Sequence, residues 1–408
     1  MHHHESHHPR RITNMSDLRQ VLKEALGFGT ANKIKDTGKK KGRKGKQVRK
    51  MIVMRNTHCY NHCLQELRAL GVRPAKKVAG AHAVVCRFPA KSSIKALQAH
   101  AMVKRVEPDV KMKLHVLPRT GRKVRISAPC ASIDSKQIIP WGVSRVGASK
   151  VWSKYRGGAV RVAVLDTGVS DHPDLRIVQR YNTIEGTPSH DENGHGTHVS
   201  GTVCALDNAF GVIGVAPRAS LYAVKAFDAS GSAYTSDIVQ GLDWCIRNNI
   251  RVINMSFGMS EESATVKELL QRAYKKGIVL VASAGNSGPN TTQIDFPARL
   301  PQVIAVAAST EANGIANFSN RGPGIAVAAP GENICSTIPG KKYGRMSGTS
   351  MAAPHVTGAV ALLLSKNRRL SPSRVRQVIR STAKPLPGYT ANDQGAGLLQ
   401  VNKAIAKV

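Results

Sequence analysis

Residues 158–168 read GAVRVAVLDTG. From Val160 to Leu165 the run is apolar apart from Arg161, the pattern of a strand covered on both faces. It stops on a carboxylate, Asp166, followed by Thr167 and Gly168. Four further segments share the pattern: SLYAVKAF at 220–227, IRVINMSFG at 250–258, GIVLVASAGN at 277–286 and QVIAVAAS at 302–309. Helical periodicity fills the intervals. Ile238, Val239, Leu242, Cys245 and Ile246 share one face; Val266, Leu269, Leu270 and Ala273 share another, closed by Gly277. Ser371 and Pro372 open one more helix near the C-terminus. Strands alternating with helices predict an α/β fold in three layers, a parallel sheet with helices on both faces. Ligands of such folds gather beyond the carboxyl ends of the strands.

Those ends carry chemistry. Asp166 follows the first strand, and Ser256 and Asn286 lie just beyond two others. His195 sits in NGHGTHVSGTV, and Ser350 opens the helix SMAAPHVTGAVALLL. A serine at a helix N-terminus feels the positive end of the dipole. Gly348, Ala352 and Ala353 leave room around it, and Pro354 is expected to be harmless because first-turn amides lack an intrahelical partner. A serine hydroxyl is a weak nucleophile at neutral pH. It needs a base for its proton, and the base needs a carboxylate to fix its tautomer. Asp166, His195 and Ser350 supply those parts in order. Singly, each has a structural explanation: an Asx turn, a helix cap and an N-cap. Together, with glycines packed around each, they point to catalysis.

DTG at 166–168, HGTHVSG at 195–201 and SGTSMAAPHV at 347–356 resemble the three signature motifs of the subtilisin-like serine proteases. The resemblance spans nearly all of residues 136–408. It implies a serine endopeptidase made as a self-processing zymogen. In that reading Asp166 orients His195, His195 is general base and then acid, and Ser350 attacks the scissile carbonyl. The first histidine of HGTH takes the role, so His198 does not. Asn286, in SAGN, is the implied oxyanion donor, joined by the Ser350 N–H. Gly231, Ser232 and Ala233, with Ser256, Phe257 and Gly258, are the implied edges that hold extended substrate. Ala233 stands where the family usually has glycine, which narrows that rim. LDNAFGV at 206–212 resembles the family's calcium loop. Asn208 would give a side-chain oxygen, Leu206, Phe210 and Val212 carbonyls, and Gln137 and Asp174 would complete an all-oxygen shell for structural calcium. Asp295, before Phe296 and Pro297, falls where the family often has a small residue at the base of the S1 pocket. A carboxylate there favours Lys or Arg at P1; a surface aspartate is the alternative.

The rest of the chain organises around that domain. Residues 1–50 carry 14 basic and 4 acidic side chains and include KDTGKKKGRKGKQVRK. They are expected to be disordered, and either to contact anionic polymers or merely to solubilise a chain of net charge +35. Residues 51–115 read as a βαββαβ, ferredoxin-like α+β unit. The resemblance makes this unit the family's propeptide, a folding chaperone and intramolecular inhibitor, with first self-cleavage near His115–Val116. Residues 116–135 read as a cleavable linker, and residues 136–408 as the catalytic domain. His58, Cys59, His62 and Cys63 have a spacing that can hold zinc or arise by accident.

Seven cysteines, an odd number, show no disulfide-framework spacing. With no apolar leader at the N-terminus, this predicts a cytoplasmic protein; the alternative is an extracellular one exported by a non-standard route. No apolar run approaches the ~18 residues that span a bilayer. Protein or peptide substrates and a monomeric state complete the expectation. A basic binding protein on a protease scaffold would show a damaged triad, and an inhibitor built from 51–115 would not need the catalytic domain.

Overall fold

The computed structural model describes residues 17–28, 46–114, 129–259 and 261–408. It divides into two units, Met1–Val110 with Tyr234–Val239, and Lys111–Ala233 with Gln240–Val408.

In the first unit α1 (Leu18–Ala25) precedes β1 (Gln47–Met54), α2 (Thr57–Ala69), β2 (Lys76–Val78), β3 (Ala83–Pro89), α3 (Lys95–Ala99) and β4 (Val103–Pro108). The strands form an antiparallel sheet in the order β2-β3-β1-β4. From β1 onward this is the βαββαβ succession read from the sequence. The expectation of disorder over 1–50 fails in its described parts. Leu18, Val21, Leu22 and Ala25 recur at helical spacing and are buried in one core with Leu67, Phe88 and Leu97. Charge summed over a long segment hides a short apolar stripe. β1 also begins inside the basic run, at Gln47. Residues 1–16 and 29–45, with most of that run, lie outside the described residues. The zinc option fails too: Cys59 and Cys63 are buried in the core, whereas His58 is exposed.

In the second unit the chain passes through β5 (Lys111–Lys113), α4 (Trp141–Arg145), β6 (Arg161–Asp166), β7 (Ile177–Asn182), α5 (His195–Cys204), β8 (Ser220–Lys225) and β9 (Ser232–Tyr234). It continues through α6 (Thr235–Arg247), of which residues 235–239 count with the first unit, β10 (Val252–Met255), α7 (Ala264–Lys275), β11 (Val279–Ser283), β12 (Val303–Ser309), β13 (Ile325–Pro330), β14 (Ile334–Ile338), β15 (Lys342–Met346), α8 (Thr349–Lys366) and α9 (Pro372–Thr382). Seven strands make one sheet in the order β13-β12-β11-β10-β6-β8-β7, parallel throughout. Every residue of β10 to β13 is buried, so both faces of the sheet are covered. α8, buried from Thr349 to Leu364, packs on β10 to β13 and against α5. Strand order reverses at β6, and such reversals open a crevice at the carboxyl ends.

Cys130 and Cys335 form a disulfide, which corrects the expectation of unpaired cysteines. Local spacing cannot reveal a bridge whose ends are 205 residues apart. The five other cysteines are free and buried. No helix among the described residues is long and apolar enough to cross a membrane.

Candidate active site

Asp166 is the last residue of β6, His195 the first of α5, and Ser350 the second of α8. All three side chains are buried. His195 Nδ1 lies 2.8 Å from Asp166 Oδ1 and 3.0 Å from Oδ2. A neutral ring that donates through Nδ1 keeps its lone pair on Nε2. Nε2 is buried and has no hydrogen-bond partner among the described residues. Burial opposes protonation of the ring. The charge of Asp166, its hydrogen bond and the charge of Asp191 outweigh burial, so the pKa is raised.

Ser350 Oγ donates to the Ser256 carbonyl at 2.9 Å, and Ser256 Oγ donates to the Ser350 carbonyl at 2.8 Å. This pair revises the expectation for Pro354, which lies beyond the first turn. The proline removes the N–H that would bond the carbonyl four residues back. That carbonyl belongs to Ser350, and the Ser256 hydroxyl takes the vacated place.

Asn286 follows β11. Its Oδ1 accepts from the Thr349 N–H at 2.9 Å and from the Thr349 hydroxyl at 2.7 Å. Two donors on the oxygen settle which way the amide points. Nδ2 then faces Gly348, where a Cβ would stand 3.1 Å from Nδ2 and 3.7 Å from the Ser350 nitrogen. The φ of 153° at Gly348 also disfavours a side chain. The Asn286 amide nitrogen and the Ser350 backbone nitrogen thus both lie within 4 Å of one point beside Gly348.

Asp295 Oδ2 would lie 2.6 Å from a Cβ at Gly258 and 2.3 Å from one at Gly285. The carboxylate is therefore packed between the strand end Ser256–Gly258 and the turn that carries Asn286. Asn320 Nδ2 donates to its other oxygen at 3.2 Å. Along the opposite edge β5 pairs with β9, and the Leu114 N–H donates to the Gly231 carbonyl at 2.8 Å. An extended segment of the same chain therefore runs along the rim formed by Gly231, Ser232 and Ala233.

Sequence reasoning missed two supporting residues. Asp191 accepts from the Thr167 hydroxyl at 2.8 Å, from the Asn193 and Gly194 N–H groups at 2.9 Å, and from the Thr197 N–H and hydroxyl at 2.9 and 2.7 Å. It ties the turn after Asp166 to the first turn of α5. An acid just ahead of a helix start, in DENGHG, was the available signal. Thr349, which aims Asn286, gave none.

The six residues read as a calcium loop also meet. Gln137 Nε2 lies 2.6 Å from the Leu206 carbonyl, 3.3 Å from Asn208 Oδ1, 3.1 Å from the Phe210 carbonyl and 3.2 Å from the Val212 carbonyl. An amide nitrogen has two hydrogens, too few for four oxygens. The Asp174 carboxylate adjoins this ring, accepting from Asn208 Nδ2 at 2.8 Å, the Val212 N–H at 3.0 Å and the Tyr343 hydroxyl at 2.9 Å. Burial still raises its pKa. At Gly211, φ +64°, a Cβ would stand 2.0 Å from the Tyr343 oxygen, so only glycine closes the turn. Among the described residues no three His, Cys, Asp or Glu side chains cluster as a metal site. Without Gln137 this ring is carbonyl and Asn208 amide oxygen beside one carboxylate, and turning the Gln137 amide over would bring its Oε1 in place of Nε2, a donor set that suits a hard cation.

The profile described as the Subtilase family matches residues 157–398. "Subtilisin Savinase" of Lederbergia lenta is 46% identical over 270 residues, covering 66% of this chain and 99% of the relative. "Alkaline protease" of Shouchella clausii is 46% identical over 270 residues, covering 66% of this chain and 70% of the relative. "Subtilisin E" of Bacillus subtilis is 45% identical over 276 residues, covering 66% and 71%.

Proposed function

Since the chain belongs to the subtilase family and is a subtilisin-like serine endopeptidase, we propose that Asp166, His195 and Ser350 are its catalytic triad. The observation that carries this is the buried Asp166–His195 bond, which leaves Nε2 with a lone pair and no competing donor. Rotation of the Ser350 hydroxyl away from the Ser256 carbonyl delivers its proton to Nε2 as Oγ attacks the peptide carbonyl. The oxygen of the tetrahedral intermediate takes hydrogen bonds from Asn286 Nδ2 and the Ser350 N–H. His195 then protonates the leaving amine. Water, deprotonated by the same nitrogen, releases the acyl group from Ser350. A fluorophosphonate should add its phosphonyl mass to the peptide containing Ser350 and to no other; a label on a different serine would refute the assignment.

Asp295 is proposed to sit at the base of S1 and to select Lys or Arg at P1. Its packing between Gly258 and Gly285 supports this placement. Lys peptides should exceed matched Phe or Leu peptides by at least about tenfold in kcat/KM, and Asp295→Asn should erase the margin. Faster cleavage after Phe or Leu by the unmodified enzyme would end the idea.

The oxygen ring of Leu206, Asn208, Phe210, Val212, Gln137 and Asp174 is proposed to hold structural calcium. The ion would supply a positive centre that pins the loop to the segment carrying Gln137.

Residues 51–115 are proposed as the propeptide, 116–135 as a cleavable linker and 136–408 as the catalytic domain. β5 and Leu114 lying along the substrate rim support this. First cleavage is placed near His115–Val116, outside the described residues. Residues 1–50 are proposed to contact anionic polymers, and the enzyme to act as a monomer on protein or peptide substrates. The Cys130–Cys335 disulfide favours the extracellular alternative over the cytoplasmic reading.

A further inference from the structure

We infer that the Cys130–Cys335 disulfide is a latch that positions Gln137 in the metal loop, so that the hold on calcium depends on the redox state of this pair. The inference rests on the calcium reading above.

The segment that delivers Gln137 has little else to hold it. None of residues 129–139 is buried. Ile133, Ile138 and Ile139 are 41%, 38% and 47% exposed, so hydrophobic anchoring is weak just where a chain would use it. Beyond the Gln137 side chain, three backbone bonds tie the segment to the loop: Gln137 N–H to the Ala209 carbonyl at 3.0 Å, Ile138 N–H to the Gly211 carbonyl at 2.9 Å, and Ile213 N–H to the Ile138 carbonyl at 3.2 Å. Exposed backbone bonds of a segment without buried side chains open easily.

The far end of the bridge is buried among the residues that build the ring. Cys335 packs with Ala205, Val212 and Tyr343, and Cys130 and Ala131 lie against that cluster. Val212 gives the ring its carbonyl and gives Asp174 its N–H; Tyr343 donates to the same carboxylate. Ala205 directly precedes Leu206. One covalent bond thus joins the segment seven residues before Gln137 to the wall behind Asp174 and Val212. With the bridge intact, Gln137 is held at the ring before the ion arrives, and the ordering cost is already met. With it open, the ion must recruit Gln137 from a segment free to fray.

The switch is ordinary thiol–disulfide exchange. One thiolate of a dithiol reductant attacks a bridge sulfur, forming a mixed disulfide and releasing the other cysteine. The second reductant thiol then displaces the first cysteine and closes the reductant's own disulfide. Two electrons and two protons pass from the reductant to the protein, which ends with two thiols.

The test uses the full chain as Ser350→Ala, so that self-digestion cannot intervene. Calcium affinity is measured by calorimetric titration, and unfolding midpoints are recorded in calcium and in EGTA. This is done for the oxidised protein, the dithiothreitol-reduced protein, the Cys130→Ser/Cys335→Ser double variant, and Gln137→Ala with the bridge intact. Opening the bridge by either route should weaken calcium binding about tenfold, the scale on which supporting groups tune a metal site. The loss of melting temperature should be larger in calcium than in EGTA. Gln137→Ala should bind as weakly as the reduced protein and should no longer respond to reduction. Equal affinities in both redox states, with the same melting loss with and without calcium, would make the bridge a plain staple and overturn the latch. Redox sensitivity that persists in Gln137→Ala would overturn it also. If the oxidised protein takes up no calcium at all, the calcium reading fails and the latch fails with it.

Discussion

Replacing Ser350 with alanine should lower kcat by about a millionfold, the scale known for this serine in subtilisin, and should leave the chain uncut at full length. The change removes the atom that must form the acyl bond, and the described site offers no second hydroxyl at the head of α8 in its place. Thr349 precedes it, but its hydroxyl is 2.7 Å from Asn286 Oδ1 and committed there. The fold should tolerate the change. The Ser256 carbonyl loses one donor, a cost of about 1 kcal/mol, while the bond from Ser256 Oγ to the Ser350 carbonyl survives. The proposed edge at 231–233 is untouched and the one at 256–258 loses only that donor, so peptide binding should persist. Intact mass, the unfolding midpoint and peptide hydrolysis together check this. A purified alanine variant that still processes itself efficiently would mean that another group attacks the bond.

Asp166→Asn should cost roughly ten-thousandfold in kcat, as loss of the carboxylate does in other enzymes with this triad, and should move the acid limb of the pH profile. The direction follows from the causes at His195. The ring must be neutral to take the serine proton, so activity falls as pH drops through the ring's pKa. Burial alone would lower that pKa; the charge and hydrogen bond of Asp166, with the charge of Asp191, more than reverse it. Without the carboxylate, burial prevails against the remaining pull of Asp191, and the limb should shift to lower pH. The asparagine amide can also donate to Nδ1, which would place the ring proton on Nε2 and disable the base. Profiles of kcat/KM against pH for both proteins decide the matter. An unmoved acid limb would show that Asp166 does not set the protonation of His195.

Much of this molecule can be read locally. β6, β8, β10, β11 and β12 announce themselves because a strand buried on both faces must be apolar at consecutive positions. α6 and α7 do so because a helix on a sheet must be apolar at every third or fourth. The three motifs place a carboxylate, an imidazole and a hydroxyl at the ends of such elements. β7 escapes this logic: it is an edge strand with no buried residue, so nothing forces an apolar run. α1 escapes because basic neighbours swamp its four buried positions.

What only the tertiary structure decided is which distant groups meet. Nothing within a few residues of Pro354 says that its missing N–H leaves a carbonyl for Ser256, 98 positions earlier in the numbering. Nothing near Thr349 says that it aims Asn286, and nothing in the cysteine spacing says that Cys130 reaches Cys335. The physical reason is common to all three. Burial against water leaves its period along the chain, whereas a single hydrogen bond or disulfide between remote segments constrains one residue at each end and leaves no pattern between them.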